Sequence, residues 1–265
     1  MDLGLKGRLA VVTGATKGIG HAVAGGLLDE GATVFVHGSS AATVEDAVGR
    51  LRERGDVHGV AGDLSDPAAP AAIAERVAAV GRPDVLVNNA AVYEVQSYFD
   101  LGDDDWRRSL QANLLAGAHL AQAFLPAMLE RDWGRVVFVS SDYGVQVNPD
   151  LMPYSVGKAA VIALSRGLAV MTRGTGVTVN TAIAGPTWTE GSSSFLDAAN
   201  TEGRPVEDVK REMFEPGGFL ADTLTGRFAD PAEVAAVVTF LCSERASVVT
   251  GAAQRADGGT IKAAH

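Results

Sequence analysis

The chain has a single cysteine, Cys242. No internal disulfide can form, and a disulfide-stapled scaffold is excluded. Cys242 follows Phe240 and Leu241 in an apolar segment, where a small core residue is expected rather than a nucleophile. Basic residues are also scarce: 22 Lys and Arg against 32 Asp and Glu give a net charge of −10. No basic stripe is present, so nucleic acid is not an expected partner. An anionic cofactor must be held by local donors, against the field of the whole chain. No uninterrupted apolar run reaches the roughly 20 residues needed to span a bilayer, and no membrane association is expected. Met1–Lys6 lacks a leader pattern, and the expected location is the cytoplasm. Internal repeats and low-complexity tracts are absent, and no metal site is expected.

What is present is apolar bulk, 47% of 265 residues. It is arranged as short apolar runs alternating with helical spacing and no linker, which predicts one domain. Strands are predicted at 9–12, 33–37, 57–61, 84–87, 135–140, 177–183 and 252–256. Helices are predicted at 18–30 (closed by Gly31), 43–54, about 103–131, 153–173 and 231–242. Asp66 and Pro67 are read as the N-cap and first residue of a further helix. Strands that are apolar throughout imply an α/β fold, a parallel sheet with helices on both faces. Ligands in such sheets bind beyond the carboxyl ends of the strands. Residues 189–230 break the pattern with clustered Ser, Gly203-Arg204-Pro205 and Gly217-Gly218, and are expected to form a substrate loop or lid.

The first strand runs into Thr13-Gly14-Ala15-Thr16-Lys17-Gly18-Ile19-Gly20, which opens a helix. Glycines at such a turn let backbone approach a pyrophosphate, and the helix N-terminus supplies donors and positive potential. The alternative is an ordinary strand-to-helix turn. About 20 residues on, an acidic residue would bind the ribose hydroxyls of NAD. The second strand ends instead in His37-Gly38-Ser39-Ser40. With no carboxylate there, Lys17 can pair with a 2′-phosphate while Ser39 and Ser40 donate to it. NADP(H), with NADPH favoured over NADH, is the expected cofactor. The competing reading has Lys17 in solvent and the serines capping the next helix.

Tyr154 and Lys158 lie one helical turn apart and share a face. A tyrosine titrates near ~10; a lysine cation and an oxidised nicotinamide beside it are expected to lower that value, letting Tyr154 exchange a proton near neutral pH. Ser141, at a strand end, can orient a carbonyl oxygen, although Ser140 is an equally polar neighbour. Asn113, within a long helix, needs a partner and is expected to hold a water relaying protons to Lys158.

Taken together, Thr13-Gly-x-x-x-Gly-x-Gly20, Asp63-Leu64, Asn88-Asn89-Ala90-Ala91, Asn113, Ser140-Ser141 and Tyr154-x-x-x-Lys158 resemble the short-chain dehydrogenase/reductase family. Asn180, Gly185–Thr189, Thr250-Gly251 and Asp257-Gly258-Gly259 extend the match over nearly the whole chain. The resemblance is to the short, single-domain branch with 3-oxoacyl-carrier-protein-reductase-like carbonyl reductases. It implies a doubly wound, Rossmann-type sheet of seven strands. It implies Tyr154 as the acid/base, Lys158 on the nicotinamide ribose, Ser141 rather than Ser140 as its partner, and Asn113 completing a proton relay. The implied cofactor contacts are Gly14, Thr16, Lys17, Gly18, Ile19, Gly20, Gly38, Ser39 and Ser40; Asp63 and Leu64 at the adenine; Asn89, Ala90 and Ala91 along the groove; and Pro186, Thr187 and Thr189 toward the nicotinamide. A homodimer or homotetramer is implied, with the helices of Asn113 and Tyr154 at the interface. Two positions depart from the family pattern: Ala91 stands where glycine is usual, and Ala184-Gly185 where Pro-Gly is usual.

The expected substrate is a small carbonyl compound or its alcohol. Val92, Tyr93, Tyr143, Val145, Met152, Trp188 and Phe195 are expected as a mainly apolar wall. Asp142 and Glu94 add acidity, which does not favour a strongly anionic substrate. Two other readings are a non-catalytic dinucleotide-binding regulator, which would have no need of the complete acid/base set, and an epimerase or dehydratase, whose glycine turn is usually spaced differently.

Overall fold

The computed structural model describes residues 2–192 and 203–263. Seven strands form one sheet: β1 (Leu9–Val12), β2 (Thr33–Gly38), β3 (Val57–Ala61), β4 (Val85–Asn88), β5 (Gly134–Ser141), β6 (Val177–Ala184) and β7 (Ala253–Ala256). Their order is β3-β2-β1-β4-β5-β6-β7, and every pairing is parallel. The described helices are α1 (Gly18–Asp29), α2 (Ala41–Leu51), α3 (Ala69–Ala78), α4 (Asp103–Leu110), α5 (Ala116–Glu130), α6 (Met152–Met171), α7 (Val206–Phe214) and α8 (Pro231–Cys242).

Alternate strand residues feed two separate cores, which is why the strands read as apolar throughout. Ala10, Val12, Val34 and Val36 pack against Val23 and Leu27 of α1 and Val238 and Leu241 of α8. Val11, Phe35, Leu86 and Phe138 point the other way, onto Ile73 of α3, Leu120 and Phe124 of α5 and Val161 of α6. Each such side chain contributes roughly 1.5–3 kcal/mol of burial. Cys242 is fully buried in the first core, and burial pushes its thiol up to about 12, as befits a packing residue. The order reverses between β1 and β4, so the crevice for a ligand opens above those two strands.

Several predicted boundaries differ. The predicted helix over 103–131 is interrupted by a π-helical turn at Gln111–Leu115, the segment that carries Asn113. Asp66 does not cap α3: its Oδ1 accepts from Ala68 N–H at 2.9 Å in the preceding turn. The proline of the first helical turn is Pro70, not Pro67. Asp103–Glu130 and Pro149–Met171 are long and apolar enough, by length and composition, to cross a bilayer. Some of their apolar residues, among them Leu120, Phe124 and Val161, lie in the core against the sheet, whereas Leu115, Val170 and Met171 are exposed.

Arg135 is one of two buried cations among the described residues, the other being Lys158. Arg135 in β5 is 2% exposed. Its Nε donates to Ser243 O at 2.9 Å and its Nη1 to Gly134 O at 2.8 Å and Gly176 O at 2.9 Å. Its guanidinium also lies 4.5 Å from the centre of the Trp133 ring. It thus ties the start of β5 to the residue after α8 and the turn before β6. Arg135→Leu would leave three inward carbonyls without their donor, and each such loss costs about 1–3 kcal/mol. A fall of about 3 kcal/mol in unfolding free energy is expected from urea titration, with Arg135→Lys recovering part of it.

Candidate active site

The ends of β1 and β4 are stitched together by side chains. Thr13 Oγ1 accepts from the backbone N–H of Asn89 at 2.9 Å and of Ala90 at 3.0 Å. Asn89 Nδ2 answers by donating to Thr13 O and Gly14 O, both at 3.0 Å. Gly14 has φ +63°, and a Cβ there would meet Ala90 Cα at 2.7 Å. A Cβ at Gly20 would lie 2.3 Å from Gly14 O and 2.4 Å from Asn89 Nδ2. These two glycines therefore make room for the stitch itself.

His37 secures the neighbouring strand ends, a role the sequence reading missed. Gly14 N–H donates to His37 Nδ1 at 3.2 Å, so the proton sits on Nε2, which donates to Gly62 O at 2.8 Å. The ring is 2% exposed, and burial lowers its pKa.

A dinucleotide fits this end of the sheet. The first turn of α1 has no acidic residue and Lys17, at its N-cap, makes no side-chain cap, so the leading N–H groups face an anion without competition. Gly18 and Ile19 lie in that turn, and Ile19 also walls the main cleft. Lys17 is exposed, and no described residue forms an ion pair with it. Thr16 packs against Gly38, where a Cβ would lie 2.4 Å from Thr16 Cγ2. Ser39 and Asp63 line a cleft that continues past Ser65 to Val92 and Tyr93. Ser40 caps α2, accepting from Thr43 N–H at 3.4 Å; for this residue the capping reading holds. Asp63 Oδ1 accepts from Ser65 N–H at 2.9 Å, and this bond holds its carboxyl low. Leu64 is buried in the core. Arg50, not foreseen, reaches from α2 to donate to Thr16 O at 2.7 Å while pairing with Asp46 at 3.1 Å.

Next to this groove, one cleft of about 270 Å³ gathers Ser141, Tyr154 and Lys158. It also takes in Asn89, Ala91, Pro186, Thr187 and Thr189. Ser141 and Ser140 separate by strand alternation. Ser140 Oγ turns inward and donates to Lys158 O at 2.7 Å, whereas Ser141 Oγ donates to Asp142 Oδ1 at 2.8 Å and lies in hydrogen-bond reach of Tyr154. Lys158 is 3% exposed, its Nζ donating to Val139 O at 2.7 Å and standing 5.6 Å from the Tyr154 ring centre. Burial lowers Lys158 to about 8.

Tyr154 differs from expectation. Burial raises its pKa; the hydrogen bond with Ser141 opposes this, and the charge of Asp142 adds to it. The lysine ammonium lies over the ring and on the Val139 carbonyl, so in the protein alone Tyr154 stays a protonated phenol. Asn113 also behaves otherwise than expected. Its Oδ1 accepts from Val92 N–H at 3.0 Å, and its Nδ2 donates to Val92 O at 2.8 Å and Ser109 Oγ at 3.0 Å. The side chain pins the loop after β4 rather than pointing at Lys158. Asn113, Asn88 and Lys158 do share the wall of a small cavity of about 10 Å³, polar and the size of one water.

The loop after β6 is held in place by Asp257, Ala229 and Ser192. Gly185 packs on Asp257, where a Cβ would lie 2.4 Å from Asp257 O. Ala229 N–H donates to Pro186 O at 2.9 Å and Trp188 N–H to Ala229 O at 2.9 Å. Ser192 Oγ holds Thr187 O at 3.0 Å and Thr189 Oγ1 at 3.0 Å. Of the predicted wall, Tyr93 and Tyr143 line the main cleft and Val92 the adjoining one. Val145, Met152 and Trp188 lie outside its walls. Trp188 packs instead on Phe228, with Lys210 Nζ 3.6 Å above its ring. Phe195 and positions 193–202 of the expected lid fall outside the described residues. Leu151, Phe219, Leu220 and Phe228 line the cleft and were not foreseen. The Gly217-Gly218 turn was their one signal: a Cβ at Gly218 would lie 2.3 Å from Glu212 O, so the chain doubles back on α7 there.

His21, half-buried and bonded to Ala15 O at 3.2 Å, is also lowered by burial, then by Arg50. A histidine whose folded pKa lies below its unfolded value near ~6.5 binds fewer protons folded than unfolded. Its stabilisation is present above that pH and lost as pH falls below it. The thermal midpoint is therefore expected to fall between pH 6.5 and 5, and less steeply in His37→Asn; identical slopes would count against His37.

The chain matches the short chain dehydrogenase family model over residues 8–200. It is 41% identical over 263 residues to the uncharacterized oxidoreductase YvrD of Bacillus subtilis, covering 99% of each chain. L-sorbose reductase from Gluconobacter frateurii, solved with NADPH and L-sorbose, superposes with a TM-score of 0.93 at 30% identity over 99% of this chain and 100% of that one. A 3-oxoacyl-(acyl-carrier-protein) reductase from Agrobacterium tumefaciens, with NADP bound, gives 0.88 at 30% identity over 97% and 96%. The seven-stranded parallel sheet, the glycine turn and this similarity along the full chain place the protein in the short-chain dehydrogenase/reductase family of oxidoreductases.

Proposed function

We propose that the protein is an NADP(H)-dependent carbonyl reductase, reducing a ketone or aldehyde to an alcohol and able to run in reverse, with Tyr154 as the proton donor. The observation that carries this reading is the convergence of Ser141, Tyr154 and Lys158 on one cleft. When bound, the nicotinamide supplies the hydride. The chain's own residues do the rest. Tyr154 presents its hydroxyl to the carbonyl oxygen, and Ser141 joins it when its proton turns from Asp142 Oδ1 to that oxygen. Tyr154, held protonated by burial, gives its proton to that oxygen. Lys158, buried below the tyrosine ring, binds the nicotinamide ribose and offsets negative charge left on the phenol. Asn113 fixes the loop after β4, and with Asn88 and Lys158 it walls a cavity the size of one water, from which a water can pass a proton to Lys158.

The cofactor preference rests on charge at the end of β2. Ser39 is exposed, Lys17 forms no ion pair with a described residue, and Arg50 reaches the glycine turn through Thr16 O. No carboxylate lies at positions 37–40 to oppose a 2′-phosphate. The two neighbours solved with NADPH or NADP agree with this reading.

Tyr154→Phe removes the proton donor and leaves the ring. Its kcat/KM for reduction is expected to fall by about 10²–10⁴ while NADPH still binds; near-normal turnover would remove Tyr154 as the acid. Ser39→Asp puts a carboxylate against the 2′-phosphate. NADPH is expected to bind about tenfold more weakly, with NADH unaffected; an unchanged Kd for NADPH in fluorescence titration would overturn the assignment.

A further inference from the structure

One group in the cleft has no task in the reaction as described. Asp142 follows Ser141, is 6% exposed, and forms part of the same cleft wall as Ser141 and Tyr154. Its Oδ1 is occupied, accepting from Ser141 Oγ at 2.8 Å and Tyr143 N–H at 3.0 Å. No described residue donates a hydrogen bond to Oδ2, and no described cation pairs with the carboxylate. Burial and the nearby charge of Asp257 push its pKa up, while Ser141, the Tyr143 N–H and its own backbone N–H pull it down. Oδ2 is not among the fully buried polar atoms without a partner, so it opens on the cleft, where water or a bound molecule can donate to it. In a substrate cleft, the substrate can bring that donor.

We propose that Asp142 is a specificity-determining residue that accepts a hydrogen bond from a hydroxyl beside the reacting carbonyl, so that the substrates are hydroxylated ketones or aldehydes. This rests on the reductase reading. The order of groups along the wall supports it: Tyr154 meets Ser141, Ser141 meets Asp142, and a carbonyl oxygen between the first two leaves Asp142 facing the adjacent carbon. Other substrate chemistries fit less well. An anionic group would meet the charge of Asp142 with Asp257 behind it. An ammonium would be opposed by Lys158 in the same cleft. A neutral hydroxyl meets neither penalty, and Leu151, Phe219 and Leu220 cover the carbon skeleton.

The test uses 1,3-dihydroxyacetone and 3-pentanone, which have the same size and shape and differ in two hydroxyls. Because hydroxyls also activate a carbonyl, the readout is the change in the kcat/KM ratio between variants, measured with NADPH on the full chain. From wild type to Asp142→Leu the ratio is expected to fall about 10- to 100-fold, the range for a hydrogen bond to a charged group. Asp142→Asn keeps an acceptor for Ser141 and Tyr143 and is expected to fall in between. A ratio unchanged in both variants overturns the proposal. Should Asp142→Leu not fold, the Asn variant decides alone: a fall supports the proposal and an unchanged ratio overturns it. Ligand-observed NMR on the Tyr154→Phe protein saturated with NADPH, with and without Asp142→Leu, reads binding without turnover. If wild type reduces neither ketone but dihydroxyacetone binds more tightly when Asp142 is intact, the reductase reading fails and hydroxyl recognition stands. Equal binding with and without Asp142 overturns hydroxyl recognition whatever the activity.

Discussion

The hydrogen-bonded stitch between Thr13 and Asn89 is the constraint on which the ligand-binding end of the molecule depends. Parallel strands end in free carbonyls and loops, and nothing in the ladder itself fixes where those loops go. Here one threonine hydroxyl accepts two consecutive backbone N–H groups, and one asparagine amide returns two bonds to the opposite loop. His37 extends the same tie to the ends of β2 and β3. The glycine turn is thereby held open above β1 and β4, and the N-terminus of α1 is aimed across the crevice. Larger side chains at Gly14 or Gly20 would occupy the space of the stitch before they ever met a ligand.

The second theme is the burial of ionisable groups in one small space. Lys158, Tyr154 and Asp142 all feel the loss of water, and each shifts toward its neutral form. For the tyrosine this keeps the proton in place, which suits a donor to a carbonyl. For the lysine it leaves a charge that sits close to its neutral form and is steadied by one backbone carbonyl. For Asp142 it leaves one oxygen open to the cleft with no donor among the described residues. Ser141 links the tyrosine and Asp142 through one hydroxyl.

Much of this was legible before the fold. Strand-by-strand apolarity gave the parallel sheet, because side chains on both faces are covered by helices. The turn at Gly14–Gly20, and Tyr154 one helical turn before Lys158, are local spacings, and local spacing survives folding unchanged. The choice between Ser140 and Ser141 was not open to residue type, since both are polar; strand alternation decides it by turning the first inward to Lys158 O. Asn113 was singled out as a polar residue in a helix, but its partner, Val92, lies 21 residues away. The π-helical turn around it has no local sequence mark.

By itself, then, the sequence determined the class of fold, the position of the glycine turn and the spacing of the residues proposed for acid/base work, all set by short-range periodicity and residue chemistry. Tertiary structure alone decided what those residues experience. The raised tyrosine, the lowered lysine, the neutral His37 tautomer, the packing role of Trp188 and the unshared oxygen of Asp142 arise from groups brought together across the chain. Burial and charge act through space, and sequence separation carries no measure of either.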